Sequence, residues 1–173
     1  MAPLSLRHNH LLTAALLAAC TAPRAPDWSY PIRLGMTRDT VRSLLGLPQE
    51  NKPGLKSELG SIEWYPLSGI SLVIDSAGLV REISFKGNRG QADWIPSTHA
   101  IVGNLRLSDR YRSFVETLGP PVTVDTADVT FAATWRMAGV AMTGDFWLRD
   151  TNENAQHYPA HSLAWLSIRP AIK

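Results

Sequence analysis

The chain has 173 residues, 45% hydrophobic and 18% charged, which excludes a disordered polymer and bounds the fold to one or two small domains. Seventeen Lys and Arg against fifteen Asp and Glu leave a formal charge of +2, too little for a nucleic-acid binder driven by bulk charge. The single Cys excludes an internal disulfide and a cysteine-based zinc site.

The first element in chain order is a leader over residues 1–19. Arg7 precedes an apolar run from Leu11 to Ala19 that only Thr13 interrupts, and small residues follow. That is the layout of a secretory signal. The run is too short to span about 30 Å of hydrocarbon. Leu17-Ala18-Ala19-Cys20 resembles the lipobox of bacterial lipoproteins. The resemblance implies acylation of Cys20 and cleavage before it. With Thr21 rather than Asp in the next position, it further implies sorting to the periplasmic face of the outer membrane. Residues 20–29, with Pro23 and Pro26, read as lipid anchor and tether.

The body reads as a repeat. A shift of 73 residues places Arg33, Leu34, Leu45, Gly46 and Pro48 on Arg106, Leu107, Leu118, Gly119 and Pro121. The expected division is a first repeat over 30–88, a crossover over 89–104 and a degraded second repeat over 105–173. Each copy opens with a helix. In the first, Thr37 caps, Asp39 favours the positive end, and Val41, Leu44 and Leu45 share a face before Gly46 and Pro48 stop the helix. In the second, Ser108 is the expected cap, and Tyr111, Phe114, Val115 and Leu118 form the apolar stripe.

Strands follow in each copy. Ser61 to Leu67, Gly69 to Asp75 and Leu79 to Phe85 serve the first, with a tight turn at Asp75-Ser76-Ala77-Gly78. Val129 to Met137, Gly139 to Leu148 and Ser162 to Arg169 serve the second. Val129, Phe131, Ala133, Trp135 and Met137 alternate with Thr130, Ala132, Thr134 and Arg136, the pattern of a sheet with one packed face and one open face. The expected fold is therefore α+β: a tandem of helix followed by a three-stranded antiparallel sheet, one sheet face open.

Gly35-Met36-Thr37, Val41, Leu45-Gly46-Leu47-Pro48, Trp64-Tyr65 and the Ile70–Ile83 hairpin with Asp75, Gly78 and Val80 resemble the signature of the SmpA/OmlA (BamE-like) family of outer-membrane lipoproteins. A tandem pair of such domains is similar to the β-lactamase inhibitor protein family. The first resemblance implies a part in outer-membrane assembly or maintenance, and the second an inhibitor or immunity protein that blocks an envelope-acting enzyme or toxin.

Catalytic patterns are missing. His157 and His161 have the four-residue spacing of helical zinc ligands, but Pro159 between them breaks any helix. His99 falls in no catalytic motif of the sequence. Asp145 and Asp150 form no evident acid–base pair, and the sequence holds no G-x-S-x-G, P-loop or G-x-G-x-x-G. No enzyme, cofactor, metal or small-molecule substrate is expected. Six Trp suit a protein-binding surface. Trp135, Trp64 and Trp165 read as core, whereas Trp94 and Trp147 are candidates for contact. The expected binding residues are Ser71, Val73, Thr130, Thr134 and Arg136 on the open face, with Tyr158 in a polar loop over Asp150–His161 and Arg149 at its start. The functional expectation is a lipid-anchored, non-enzymatic protein that binds another envelope protein.

Overall fold

The computed structural model describes residues 27–53, 60–86, 99–153 and 156–171. The leader, Cys20, Trp94 and most of the expected crossover lie outside them. Helix α1 (Arg38–Leu45) starts where expected: Thr37 is extended, and its Oγ1 accepts the Thr40 amide at 3.2 Å. It ends at Gly46 with φ 81°, a conformation only glycine takes without strain. Strand β1 (Glu50–Pro53), β2 (Ser61–Tyr65), a 3₁₀ turn (Pro66–Ser68), β3 (Ile70–Ile74) and β4 (Val80–Lys86) follow. The β3–β4 turn is pinned by Asp75, whose Oδ1 accepts the Leu79 amide at 2.9 Å while Oδ2 pairs with Arg81 Nε at 2.6 Å. These bonds hold its carboxyl below the ordinary range, the Leu79 amide first and Arg81 second.

The second half repeats this course: α2 (Tyr111–Leu118), β5 (Thr123–Thr126), β6 (Thr130–Met137), β7 (Val140–Trp147), a hairpin of β8 (Thr151–Glu153) and β9 (Gln156–Tyr158), then β10 (Leu163–Pro170). The N-cap of α2 is Arg110, not Ser108, and no side chain caps it. Asp109 turns back to the Arg106 amide at 2.8 Å instead, and Arg110 is held by a bridge to Ser162.

The expected tandem of three-stranded sheets does not form. The principal strands make one antiparallel sheet of eight, in the order β1-β2-β3-β4-β10-β7-β6-β5. Two physical facts account for the difference. Strand edges carry unpaired amides and carbonyls, so two adjacent edges gain by pairing. Here β4 and β10 join, Phe85 opposite Leu166 and Ile83 opposite Ile168. The outer strands β1 and β5 are short and polar, and all four residues of β5 are exposed, so neither shows an apolar alternation in sequence. The small helix-plus-three-stranded-sheet domain of the SmpA/OmlA family, and with it the inhibitor-like tandem, is thereby overturned.

One core runs through both halves. It joins Val41 of α1 and Phe114 of α2 to Ile70, Leu72, Ile83, Phe85, Phe131, Trp135, Phe146, Leu166 and Ile168 of the sheet. Both helices therefore cover the same sheet face. The N-terminal segment is tied to the start of the second half through the Trp28–Val102 bridge and the Ser29 amide on the Ile101 carbonyl at 3.1 Å.

The two helices meet their strands with different chemistry. Under α1, Glu63 is fully buried; its Oε1 faces Arg42 Nη2 at 2.6 Å and Arg38 Nε at 3.1 Å, and its Oε2 accepts the Tyr65 hydroxyl at 2.7 Å. Under α2 there is an aromatic cluster. Tyr111 and Phe114 meet Phe131, Trp135 and Phe146 at ring separations of 5.0–6.2 Å, mostly edge-on. Trp135 Nε1 donates to the Gly119 carbonyl at 2.9 Å, fastening β6 to the end of α2.

Candidate functional site

The sheet face without helices is the candidate binding surface, and its composition follows from register. Ser71, Ser84, Ser167, Thr143, Thr134 and Thr123 lie opposite one another on β3, β4, β10, β7, β6 and β5. This line of six hydroxyl side chains crosses the seam between the halves, with Trp64 and then Glu50 at its β2–β1 end. The Thr134 and Thr143 hydroxyls are 3.0 Å apart. Ser84 Oγ donates to Glu82 Oε1 at 3.0 Å. On one side of this line Val73 sits between Ile62 and Glu82, and Arg136 sits opposite Ala141. On the other side Lys86, Trp165, Asp145, Ala132 and Asp125 are in register.

Of the residues expected to bind, Ser71, Val73, Thr130, Thr134 and Arg136 all occupy this face. Four strand steps separate Ser71 from Thr134, roughly 19 Å at strand spacing. Ser71 is buried, Val73, Thr130 and Thr134 are half-buried, and Arg136 is exposed. Trp147 and Tyr158 behave differently. The expected polar loop contains the β8–β9 hairpin, whose Tyr158 ring stacks on Trp147 at 5.2 Å. Both are buried, with Ala164, in a second small core, so they form a fold-internal contact rather than exposed anchors. Arg149 is exposed beside the hairpin.

Trp64 and Trp165, read from sequence as core, are half-buried on the helix-free face. The inward residues of β2 are Ser61, Glu63 and Tyr65. The apolar look of Ile62 and Trp64 gives the wrong phase, because α1 presents two guanidinium groups one helical turn apart and a carboxylate is what they need. The Glu63 bond is the main force raising the Arg42 guanidinium. Burial first, then the bond to Glu63, pushes the Tyr65 phenol well above its usual range. The cluster is internally satisfied and sits beneath a helix, so it builds structure.

The residues tested for chemistry do not converge. Asp150 Oδ1 accepts the Ala160 amide at 2.7 Å, and His157 Nδ1 lies 3.2 Å from Asn152 Oδ1. The His161 ring rests edge-on against Phe131. Among the described residues no three His, Cys, Asp or Glu stand together as a metal site.

Two concavities lie off this face. One, of about 150 Å³, is bounded by Trp28, Ile32 and Leu34 against Ile83, Val140 and Ile168. The other is a groove of about 310 Å³ between the end of α1 and the 3₁₀ turn, lined by Leu45, Leu47, Gln49, Tyr65, Pro66, Leu67 and Ser68. Leu47 and Leu67 at its rim are 81% and 77% exposed, and nearby Leu44 is 53% exposed. Sequence reading missed this patch, because Leu44 also fits a helix stripe and Leu67 a strand end, and Leu47 stands alone between a helix stop and Pro48.

No family model matches the chain, and no curated protein matches it significantly. Among solved structures it is similar to a DUF4309 family protein (YjgB) from Bacillus subtilis subsp. subtilis str. 168, with a TM-score of 0.47, 11% identity and 78% of each chain covered.

Proposed function

We propose that the protein is a lipid-anchored, non-enzymatic binding protein of the bacterial envelope, held at the periplasmic face of the outer membrane by acylated Cys20. Its partner is another envelope protein. The observation that carries the binding role is the helix-free sheet face, where side chains of both halves stand in register across six adjacent strands. Such a surface suits recognition of a macromolecule, since its groups are spread over a broad area rather than converging on a cleft. The anchor is supported by the Leu17-Ala18-Ala19-Cys20 pattern.

Affinity purification of the acylated protein from detergent-solubilised membranes tests the reading, with Arg136→Glu and Thr134→Arg alongside. The expected result is an envelope protein enriched by the wild type and depleted severalfold by both variants. Equal recovery by all three would remove the face from the account. Recovery of nothing, from protein shown to be acylated, would remove the binding role.

A further inference from the structure

The patch of Leu44, Leu47 and Leu67 has no role in the core and none in the sheet face. Leu47 and Leu67 project from two neighbouring segments, the chain just after α1 and the 3₁₀ turn, and line a groove with no charged residue in its lining, while Leu44 is exposed on the last turn of α1. Exposed apolar side chains grouped this way mark contact with a protein or a membrane.

The N-terminal segment decides between them. The Tyr30 hydroxyl lies 3.5 Å from the Ser68 carbonyl, on the turn that bears Leu67. Asp27 precedes Tyr30 by three residues, and Cys20 precedes Asp27 by seven. Seven residues span at most about 25 Å. A bilayer anchored at Cys20 is therefore within reach of the part of the surface that carries Leu67. A second copy is the weaker candidate, because three leucines and their groove fall well short of the about 800 Å² per partner that a stable interface buries.

We propose that Leu44, Leu47 and Leu67 form a lip that rests in the interfacial layer of the bilayer to which Cys20 is attached. The inference depends on the acylation reading above. Shallow insertion of a few apolar side chains adds to the hold of the acyl chains and fixes one orientation. The sheet then keeps a defined angle to the membrane instead of tumbling on a tether.

Site-directed spin labelling tests this in the acylated protein, reconstituted in vesicles of phosphatidylethanolamine and phosphatidylglycerol. Cys20 is the only cysteine in the sequence, so its acylation frees the labelling chemistry for Leu47→Cys or Leu67→Cys. Thr126→Cys, on the far edge strand β5, serves as the aqueous reference. The expected result is severalfold greater collision with dissolved oxygen, and severalfold less with a water-soluble nickel complex, at both leucine positions than at Thr126. Hydrogen exchange of the unsubstituted protein should slow over residues 44–49 and 65–68 when detergent is replaced by vesicles. Vesicle-bound, acylated protein whose labels at 47 and 67 match Thr126 would overturn the lip and leave the anchor standing. Protein found by mass spectrometry without acyl groups at Cys20 would overturn both. Labels immobilised in proportion to protein density, without lipid exposure, would assign the patch to a second copy and overturn the lip.

Discussion

The Glu63 carboxylate is fully buried, yet both its oxygens are engaged: Oε1 by Arg38 and Arg42, Oε2 by Tyr65. Removing one partner of a buried ion pair typically costs about 3–5 kcal/mol. The two guanidinium groups are about one-third exposed, and water can take over part of their solvation. Glu63→Ala is therefore expected to lower the stability in urea unfolding by about 3 kcal/mol, the lower end of that range. Tyr65 makes the cluster sensitive to alkali. Its ordinary value is near 10.0, and the fold raises it, so the folded protein holds the phenolic proton more tightly than the unfolded chain does. The corresponding stability is complete below pH 10 and is lost as pH rises above it. Wild-type protein should lose stability from pH 10 upward. Tyr65→Phe, measured by urea unfolding at the same pH values, should show a flatter alkaline limb. An unchanged slope would mean that the phenol is not linked to folding.

At the scale of elements, the equivalent helices depend on their strands to different degrees. Phe114, fully buried between Trp135 and Phe146, is the anchor of α2, and Phe114→Ala should cost about 3–5 kcal/mol. Val41 is its counterpart in α1 after the 73-residue shift. Val41→Ala removes two methyl groups and should cost about 1–2 kcal/mol, because the ion cluster continues to hold that helix. Paired urea titrations of the two variants check the asymmetry. The same elements show where sequence is informative. The two helices, the Asp75 turn and six of the strands could be placed, because apolar runs and the glycines and prolines that end them are local signals, although the α2 cap and the facing of β2 could not. The edge strands β1 and β5 could not, since a strand that buries nothing leaves no pattern. The residues of the helix-free face were legible from the alternation of Thr130, Thr134 and Arg136 with the core residues of β6. Trp147 and Tyr158 were misplaced, because nothing local states that one hairpin will fold its aromatic ring onto another strand. Glu63 was missed because its partners lie 21 and 25 residues away on a helix.

For the whole molecule, the decisive contact is the β4–β10 seam. It merges two sheet halves, and a single core spans both. The described halves should therefore unfold together. Tryptophan fluorescence and far-ultraviolet circular dichroism are expected to report one coincident urea transition; two separated transitions would show that the seam contributes little. The seam also has a consequence for how the protein is made. Strand β10 is the last of the described strands to be synthesised, yet it lies in the middle of the sheet, between β4 and β7. Until Leu163–Pro170 emerge, β4 and β7 each present a bare edge, and the central layer of the core, including Leu166 and Ile168, is missing. A nascent chain therefore has no stable sheet to close on while it is being translated. On the proposal above that the chain is exported, that delay is an advantage: the order of the strands postpones closure of the sheet until the last described strand has been delivered.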